Sequence, residues 1–189
     1  MNNFEFEEIT KARNLLGTSM IDEGLNILEN MAKRKSRCAI YELGKIYMEG
    51  KYVKKNLLQA ENLLILSGNL GYEKSFYLLG QLYLEKKDFR NAKRSFEKNK
   101  TNPLASYELG KLYYYGKGCS ISHHKAFVCF LESSKNGCAL ASYMIGYQYY
   151  FGDGIKMNRE KGKNYLIRAI RKNVPDSFKV YDRLQTNCW

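Results

Sequence analysis

A short sequence pattern occurs four times in this chain: a small residue, any residue, Tyr, any residue, Leu or Ile, Gly, any two residues, and Tyr. Its clearest copy runs from Ala105 to Tyr113. The glycines of the four copies, which we call the marker glycines, are separated by 36, 30 and 36 residues: Gly44, Gly80, Gly110 and Gly146. A period in this range is typical of stacked supersecondary units, so the chain is predicted to be a repeat protein.

The residues around each marker glycine are spaced as on one face of a helix. In the first copy Ala39, Leu43 and Tyr47 are four residues apart, which predicts a broad apolar stripe on an amphipathic helix. Glycine in the middle of a helix costs about 1 kcal/mol relative to alanine. We therefore expect each marker glycine to lie where a second helix crosses so closely that a side chain would not fit.

A second helix is predicted after each marker glycine, because capping residues recur at matching distances. The side chains of Asn, Asp and Ser accept hydrogen bonds from first-turn amides, and such residues stand at four places: Asn56, Asp88, Ser122 and Asn158. Each is followed four positions later by a small residue: Ala60, Ala92, Ala126 and Gly162. Three of these helices are followed by residues suited to a left-handed C-cap: Gly71, Gly137 and Asn173.

Further helices are predicted at both ends of the chain. An amphipathic helix from Phe4 to Leu16 precedes a second one, for which Ser19 is a plausible N-cap. After the last repeat, a capping helix is predicted to begin near Ser177. Its apolar side would carry Phe178, Tyr181 and Leu184, and Trp189 is predicted to pack on the same cap.

The residues of the third and fourth repeats resemble the Sel-one-like repeat, a relative of the tetratricopeptide repeat. The resemblance rests on the Leu-Gly-x-x-Tyr pattern, a Gly-x-Gly turn and a later small residue after Lys, as in Gly116-Lys117-Gly118 with Lys125-Ala126. The first repeat has Tyr52 at the second turn glycine, and the shortened second repeat is closer to a plain tetratricopeptide unit. The resemblance implies an all-α fold, a right-handed α-α superhelix (solenoid) of about five helix pairs plus a C-terminal capping helix.

We predict a single repeat domain over residues 1–189. Its parts are a degenerate helix pair, four repeats and the capping helix: 1–36, 37–72, 73–102, 103–138, 139–174 and 175–189. The two prolines stand between predicted helices, so no helix interior is broken. There is no run of 18 apolar residues and no apolar signal segment, which predicts a cytoplasmic protein without a membrane span.

No catalytic, metal-binding or cofactor-binding constellation is predicted. The five cysteines form no C-x-x-C pair, and their odd number favours reduced thiols that pack as small apolar residues. In the resembled family a secreted subgroup pairs cysteines, and Cys129 with Cys138 is the one candidate for such a pair. The two histidines are adjacent, His123 and His124, and are expected to be surface residues rather than metal ligands. A non-enzymatic protein is therefore predicted.

The net charge of +12 leaves two classes of partner open. An excess of lysine and arginine attracts nucleic acid or acidic proteins over long range. The basic residues are spread along the sequence, which is a weaker sign of a nucleic-acid site than one basic stripe. The alternative is an ordinary lysine-rich protein whose charge serves solubility.

The resemblance to tetratricopeptide units places four positions of each repeat on an inner, concave wall. One lies three residues before the marker glycine, and the others lie one, four and five residues after it. Towards the C-terminal repeats these positions become aromatic, and tyrosine suits interfaces because a large ring carries a polar tip. The candidate partner-binding residues are Tyr77, Tyr107, Lys111, Tyr114, Tyr115, Tyr143, Tyr147, Tyr150 and Phe151. For the tyrosine column three before the marker glycine, Tyr41, Tyr77, Tyr107 and Tyr143, ordinary packing in the resembled fold is the favoured alternative.

The sequence thus predicts an adaptor that binds a peptide or protein segment in an aromatic, lightly basic groove. The alternative is a nucleic-acid-binding protein in which tyrosines stack on bases and lysines follow phosphates. Neither the identity of the partner nor the oligomeric state can be predicted from the sequence.

Overall fold

The computed structural model of the protein describes the backbone of residues 3–175 and 177–186 and the side chains of residues 4–175 and 177–182. Within these residues there are eleven α-helices and no strand, which confirms the predicted all-α class. Cys188 and Trp189 lie outside the described residues, and so does the side chain of Leu184.

The chain divides between Lys87 and Asp88 into two compact units. The first contains α1 (Asn3–Leu16), α2 (Ile21–Lys33), α3 (Arg37–Glu49), α4 (Leu57–Asn69) and α5 (Lys74–Glu85). The second contains α6 (Phe89–Glu97), α7 (Pro103–Tyr115), α8 (His123–Lys135), α9 (Ala139–Phe151), α10 (Arg159–Ile170) and α11 (Ser177–Thr186). The single-domain organisation stays a prediction, and the two units are described separately.

In the first unit each helix packs on the next along the chain. Ile9 and Ala12 of α1 are buried together with Leu28 of α2 and Leu43 of α3. A second cluster joins α4 and α5, where Leu64 and Leu82 are fully buried: its buried members are Ala60, Leu64, Leu79 and Leu82. The small residue predicted four positions after the Asn56 cap therefore lies in the core.

In the second unit α6 to α11 also pack in chain order. Ala126 and Phe130 of α8 are fully buried against Ala141 and Ile145 of α9. Leu166 of α10 forms the next cluster, which Val180 and Tyr181 of α11 cover in part. In contrast, Phe178 is 65% exposed, so the prediction that its ring faces the last pair is wrong. Ser177 is buried at the start of α11, as the small-residue column predicts.

The four predicted N-caps of the second helices are confirmed. Each side chain accepts a hydrogen bond from the backbone amide three residues later, at 2.9–3.3 Å: Asn56, Asp88, Ser122 and Asn158. Two residues predicted as left-handed stops, Gly71 and Gly137, have φ of +85° and +94°, and Asn173 has +54°. Local capping chemistry therefore fixes where these helices begin and end.

The prediction that Ser19 caps α2 is wrong. Met20 is the N-cap residue and its side chain makes no capping bond. The turn is instead held by Thr18, whose Oγ1 accepts from the Met20 amide at 3.2 Å and donates to the Leu15 carbonyl at 2.7 Å. Thr18, rather than Ser19, therefore makes the side-chain hydrogen bonds to the backbone of this turn.

Three of the four marker glycines, Gly44, Gly110 and Gly146, lie at close helix crossings, as predicted. A Cβ on Gly44 would lie 2.9 Å from Leu64 Cγ, and one on Gly146 would lie 2.8 Å from Leu166 Cγ. On Gly110 it would lie 2.5 Å from Cε1 of the buried Phe130. In all three cases the second helix of the same repeat occupies the space, so glycine permits the pair to close.

The second glycine of each Gly-x-Gly turn packs against the start of the preceding second helix. Gly118 has φ of +71°, and its missing Cβ would lie 2.5 Å from the carbonyl carbon of Phe89. Gly154 has φ of +75°, and its Cβ would collide with His123 at the start of α8. These turns therefore join neighbouring repeats through main-chain contact.

Candidate functional site

Four of the predicted wall residues lie on α7. Tyr107 is half-buried, its ring centroid lies 5.8 Å from that of Phe130, and burial raises its pKa to about 12. The ammonium of Lys111 lies 5.2 Å from the Tyr107 ring centroid and 3.0 Å from Oε2 of Glu108. Lys111 is thus held on the α7 surface by a ring on one side and a carboxylate on the other.

Tyr114 is fixed by one residue of its own repeat, His123, and one of the following repeat, Asp153. Its hydroxyl donates a 2.6 Å hydrogen bond to Oδ2 of Asp153, which lies in the turn after α9. Its ring stacks on His123 at the start of α8, with centroids 4.8 Å apart and planes 14° apart. Nδ1 of His123 contacts the other oxygen of Asp153. Burial and the bond to Asp153 raise the pKa of Tyr114 above the usual tyrosine value.

A buried glutamine is hydrogen-bonded to the backbone of two residues of this cluster. The position two after the marker glycine is Ile46, Leu82 or Leu112 in the other repeats, and each of these is buried. In the fourth repeat it is Gln148, fully buried, whose Nε2 donates to the carbonyls of His123 (3.0 Å) and Asp153 (3.1 Å). Gln148 therefore ties the start of α8 to the turn after α9. Its Oε1 accepts no hydrogen bond from the described residues.

The remaining wall residues of the second unit lie on α9 and differ in exposure. Tyr143 and Tyr147 are half-buried, and Tyr143 packs on the core cluster of Leu166. The Tyr147 ring centroid lies 4.6 Å from that of Phe151, which is 53% exposed. Tyr150 is only 8% exposed and belongs to the core. Little of its ring is therefore presented to a ligand.

Two exposed aromatic rings stand at equivalent positions. Tyr115 and Phe151 are each five residues after a marker glycine, and they are 56% and 53% exposed. Each packs edge-on against its chain neighbour, Tyr114 or Tyr150, with centroids 5.0 and 5.2 Å apart. In the first unit the same position is glutamate, Glu49 or Glu85. The exposed rings are thus a feature of the third and fourth repeats rather than of the fold as such.

The predicted wall residue of the first unit, Tyr77, lies on α5. It is half-buried, and its hydroxyl accepts a 2.8 Å hydrogen bond from Nε2 of Gln81. We use the name aromatic face for the exposed and half-buried wall residues of α7 and α9 alone: Tyr107, Lys111, Tyr114, Tyr115, Tyr143, Tyr147 and Phe151.

The aromatic face carries little net charge. Helix α7 has one lysine and one glutamate, Lys111 and Glu108, which pair with each other, and α9 has no charged residue. The carboxylate of Asp153 already contacts Tyr114 and His123. The two helices therefore offer rings and hydroxyl groups without net charge. A positive charge lies beside them in the turn after α7, where Nζ of Lys117 is 6.0 Å from the Tyr115 ring centroid.

The described cysteines are all thiols, so Cys129 and Cys138 do not form the bridge considered from the family resemblance. Cys38 and Cys138 are buried, whereas Cys119 and Cys129 are half-buried. Burial raises the pKa of Cys129 to about 11. This suppresses the thiolate form on which cysteine reactivity depends. In the part of the chain that the structure describes, no helix is long and apolar enough to cross a membrane.

Sequence reasoning found the rings but missed the residues that position Tyr114. His123 was expected to be an ordinary surface residue, and Asp153 and Gln148 were not singled out. The contact between His123 and Asp153 joins residues 30 positions apart. The one local signal was Gln148, a polar residue in a column that is otherwise aliphatic.

A scan against protein families matches one family model, described as Sel1 repeat, at residues 39–72, 103–138 and 139–174. These segments correspond to the first, third and fourth predicted repeats. The residues between the first two segments are those of the shortened second repeat.

Several solved structures, among them Sel1 repeat proteins, are similar to this chain. One from Oxalobacter formigenes has 20% identity and a TM-score of 0.81, over 93% of this chain and 74% of that one. A putative Sel1 repeat protein from Klebsiella pneumoniae has 16% identity and a TM-score of 0.58, covering 96% and 93%. The immunity protein Pa5087 from Pseudomonas aeruginosa has 19% identity and a TM-score of 0.58, covering 98% and 80%. At such identities they show the fold alone, and they confirm the predicted solenoid class.

Proposed function

This chain belongs to the Sel1 repeat family, whose model matches more than half of its residues, and we propose that it is a non-enzymatic module that binds a segment of another protein. The segment binds on the aromatic face of α7 and α9. The observation that carries the proposal is the pair of exposed rings, Tyr115 and Phe151, at equivalent positions of two successive repeats.

Exposed aromatic rings at matching positions of two repeats offer apolar surface that a partner can bury. Burial of apolar surface contributes roughly 25 cal/mol per Å², so a partner that covers both rings gains favourable free energy. Tyrosine and other aromatic residues are enriched among the residues that dominate binding energy at interfaces. Edge-on packing of Tyr115 on Tyr114 and of Phe151 on Tyr150, together with the tilted contact of Phe151 with Tyr147, holds the rings in place before a partner arrives.

The nearly neutral character of the face favours a partner segment rich in apolar, aromatic or proline residues. Tyr107 and Tyr114 each contribute a hydroxyl beside the rings, and such groups orient an extended chain through hydrogen bonds. The matched family and the similar structures give no support to the nucleic-acid alternative. A nucleic acid whose bases stack on tyrosines would also occupy the rings of the aromatic face, to which we assign a peptide.

The test is a selection from a displayed library of random linear peptides against the whole protein, followed by affinity measurements on the enriched peptides. The double variant Tyr115→Ala with Phe151→Ala should weaken their binding by tenfold or more, since each ring is worth about 1 kcal/mol or more at an interface. Leu58→Ala is the matched control, because this α4 side chain is 68% exposed and lies in the first unit.

Two results would contradict the proposal. One is a selection that enriches no peptide above the level seen with an unrelated helical protein. The other is a set of enriched peptides that bind the double variant within twofold of the unchanged protein. A response to Leu58→Ala equal to that of the double variant would have the same meaning.

A further inference from the structure

The positive charge of this protein is concentrated in its second unit. Residues 88–189 contain 18 Lys and Arg against 8 Asp and Glu, whereas residues 1–87 contain 13 against 11. Within the second unit more than half of this excess lies on the second helices of the repeats. Helices α6, α8 and α10 together carry nine basic and three acidic residues. These helices do not carry the rings of the aromatic face, although Arg159 of α10 lies 5.7 Å from the ring centroid of Tyr150, which packs on Phe151.

Besides Arg159, four of these basic side chains lie over tyrosine rings. Lys93 of α6 and Lys125 of α8 lie 5.4 and 5.6 Å from the centroid of the same ring, Tyr113. Tyr113 therefore connects a cation from one repeat with a cation from the next.

The same arrangement continues into α10. Lys161 lies 5.7 Å from the centroid of Tyr149, and Arg168 lies 5.2 Å from that of Tyr165. The rings of Tyr149 and Tyr165 stack with centroids 6.0 Å apart, and Phe127 of α8 packs edge-on against Tyr149 at 5.3 Å. We call these two groups, which both include residues of α8, the cationic strip: Lys93, Tyr113, Lys125, Phe127, Tyr149, Lys161, Tyr165 and Arg168.

Cations over rings keep their charge available while losing freedom of movement. An ammonium above a tyrosine is attracted by the ring and is less mobile than one on a free side chain. Lys125, Lys161 and Arg168 are exposed, so their outer sides face solvent. Of the acidic residues on these helices, Glu97 is engaged by Lys93 (3.5 Å) and by the Tyr113 hydroxyl (3.1 Å). The strip therefore presents ordered, exposed positive charge on the second helices of two successive repeats, α8 and α10.

We propose that the cationic strip is a second binding surface, which takes an acidic polypeptide segment. Charge complementarity supplies the attraction, and the preordered cations reduce the entropy lost on binding. Carboxylates spaced along an extended or helical segment would pair with Lys125, Lys161 and Arg168 in turn. The proposal is independent of the function assigned to the aromatic face.

The chemistry of the strip favours a peptide over a nucleic acid. Single-stranded nucleic acid gains affinity by stacking bases on aromatic faces. Here the rings of Tyr113, Tyr149 and Tyr165 already pack against cations or other rings. Three of the four cations are lysines, which act as point charges and lack the two-pronged geometry by which arginine grips phosphate.

The experiment measures fluorescence anisotropy of labelled poly-L-glutamate titrated with the whole protein at low and physiological ionic strength. The triple variant Lys125→Gln, Lys161→Gln and Arg168→Gln should weaken binding about tenfold, from the summed effect of three exposed charges. The control triple variant Lys11→Gln, Lys33→Gln and Lys54→Gln removes the same charge from the first unit and should change binding less than twofold. Tyr115→Ala with Phe151→Ala should leave it unchanged.

Three results would overturn the proposal. Equal losses in the two triple variants would mean that poly-glutamate responds to net charge alone. If poly-glutamate shows no measurable binding at low ionic strength, the cationic strip is not a binding surface for acidic segments. Tighter binding of a single-stranded oligonucleotide or of phosphatidylserine vesicles through the same three residues would show that the occupant is of another class.

Discussion

The Tyr114 hydroxyl donates a 2.6 Å hydrogen bond to Oδ2 of Asp153, 39 residues further along the chain. The bond crosses from the end of α7 to the turn after α9, and the ring of His123 stacks on the same tyrosine. One member of the aromatic face is therefore oriented by the next repeat, so its position depends on the packing of both.

The first prediction concerns the energy of this contact. Tyr114→Phe should lower the free energy of unfolding by about 1 kcal/mol, because it leaves an Asp153 oxygen without its donor. Asp153→Ala should cost about 1–3 kcal/mol, since it also removes the partner of His123 Nδ1. Urea unfolding of the single and double variants gives the coupling energy, expected to be near 1 kcal/mol. Tyr115→Phe, which alters an exposed neighbouring ring, is the control. A coupling of zero would mean that the bond contributes no stability.

The second prediction concerns the marker glycine of the third repeat. Helix propensity alone would make Gly110→Ala stabilising by about 1 kcal/mol. The new Cβ would however lie 2.5–2.6 Å from two ring carbons of the fully buried Phe130, so we expect a net loss of about 2 kcal/mol. Thermal unfolding measures the change. Phe130→Leu should lower the free energy of unfolding less in the Gly110→Ala variant than in the unchanged protein, because it removes the clashing ring. If the losses of the two single variants simply add, the steric cause is wrong.

The third prediction compares two glycines of one turn. Gly152 and Gly154 have φ of +71° and +75°, so alanine at either position pays the same backbone cost of about 1 kcal/mol. At Gly152 the nearest side-chain atom is 3.2 Å from the new Cβ, whereas at Gly154 the main chain of His123 lies within 2.8 Å. Gly154→Ala should therefore be more destabilising than Gly152→Ala by about 2 kcal/mol in urea unfolding. Equal losses would show that the turn can move away from α8.

The fourth prediction concerns stability at alkaline pH. Burial raises the pKa of Tyr107 to about 12 in the folded protein. The pKa of tyrosine in an unfolded chain is about 10. Between these values the unfolded chain has lost a proton that the folded chain retains, so the free energy of unfolding falls as the pH rises. The stabilisation is fully present below pH ~10 and is lost by pH ~12.

Tyr107→Phe should make the free energy of unfolding fall less steeply with pH. The change in slope should correspond to less than one proton, because part of the ring is accessible to solvent. The measurement is urea unfolding at a series of alkaline pH values, with the same variant at neutral pH as the reference. An unchanged slope would mean that Tyr107 does not retain its proton in the folded state.

Much of the local structure could be predicted because it follows from neighbours in the sequence. Asn56, Ser122 and Asn158 bond to amides three residues away, so side-chain chemistry and spacing suffice to place the helix starts. Gly110 could be assigned to a close crossing because a helix-interior glycine has a cost that needs a compensating contact. The N-cap prediction at Ser19 was wrong because the neighbouring Thr18 makes the side-chain bond in this turn, and residue propensity does not distinguish serine from threonine there.

The site was predicted less fully, since its geometry depends on distant residues. The sequence indicates that Tyr115 and Tyr150 share a wall, but only the fold shows that the first is exposed and the second is in the core. The pairing of His123 with Asp153 depends on how α8 meets the turn after α9. The net charge could be counted from the sequence, whereas its location on α6, α8 and α10 required the helix boundaries.

The packing of Gly118 and Gly154 on the preceding helix has a consequence for protein engineering. A loop insertion, a fluorophore attachment site or a displayed epitope placed beside either glycine would separate two repeats that touch through their main chains. The turn at Gly137 is different, because no atom lies within 4 Å of the place its Cβ would take. A graft there should leave the helix pairs intact, which makes the α8–α9 turn the natural place to attach a label or a purification tag.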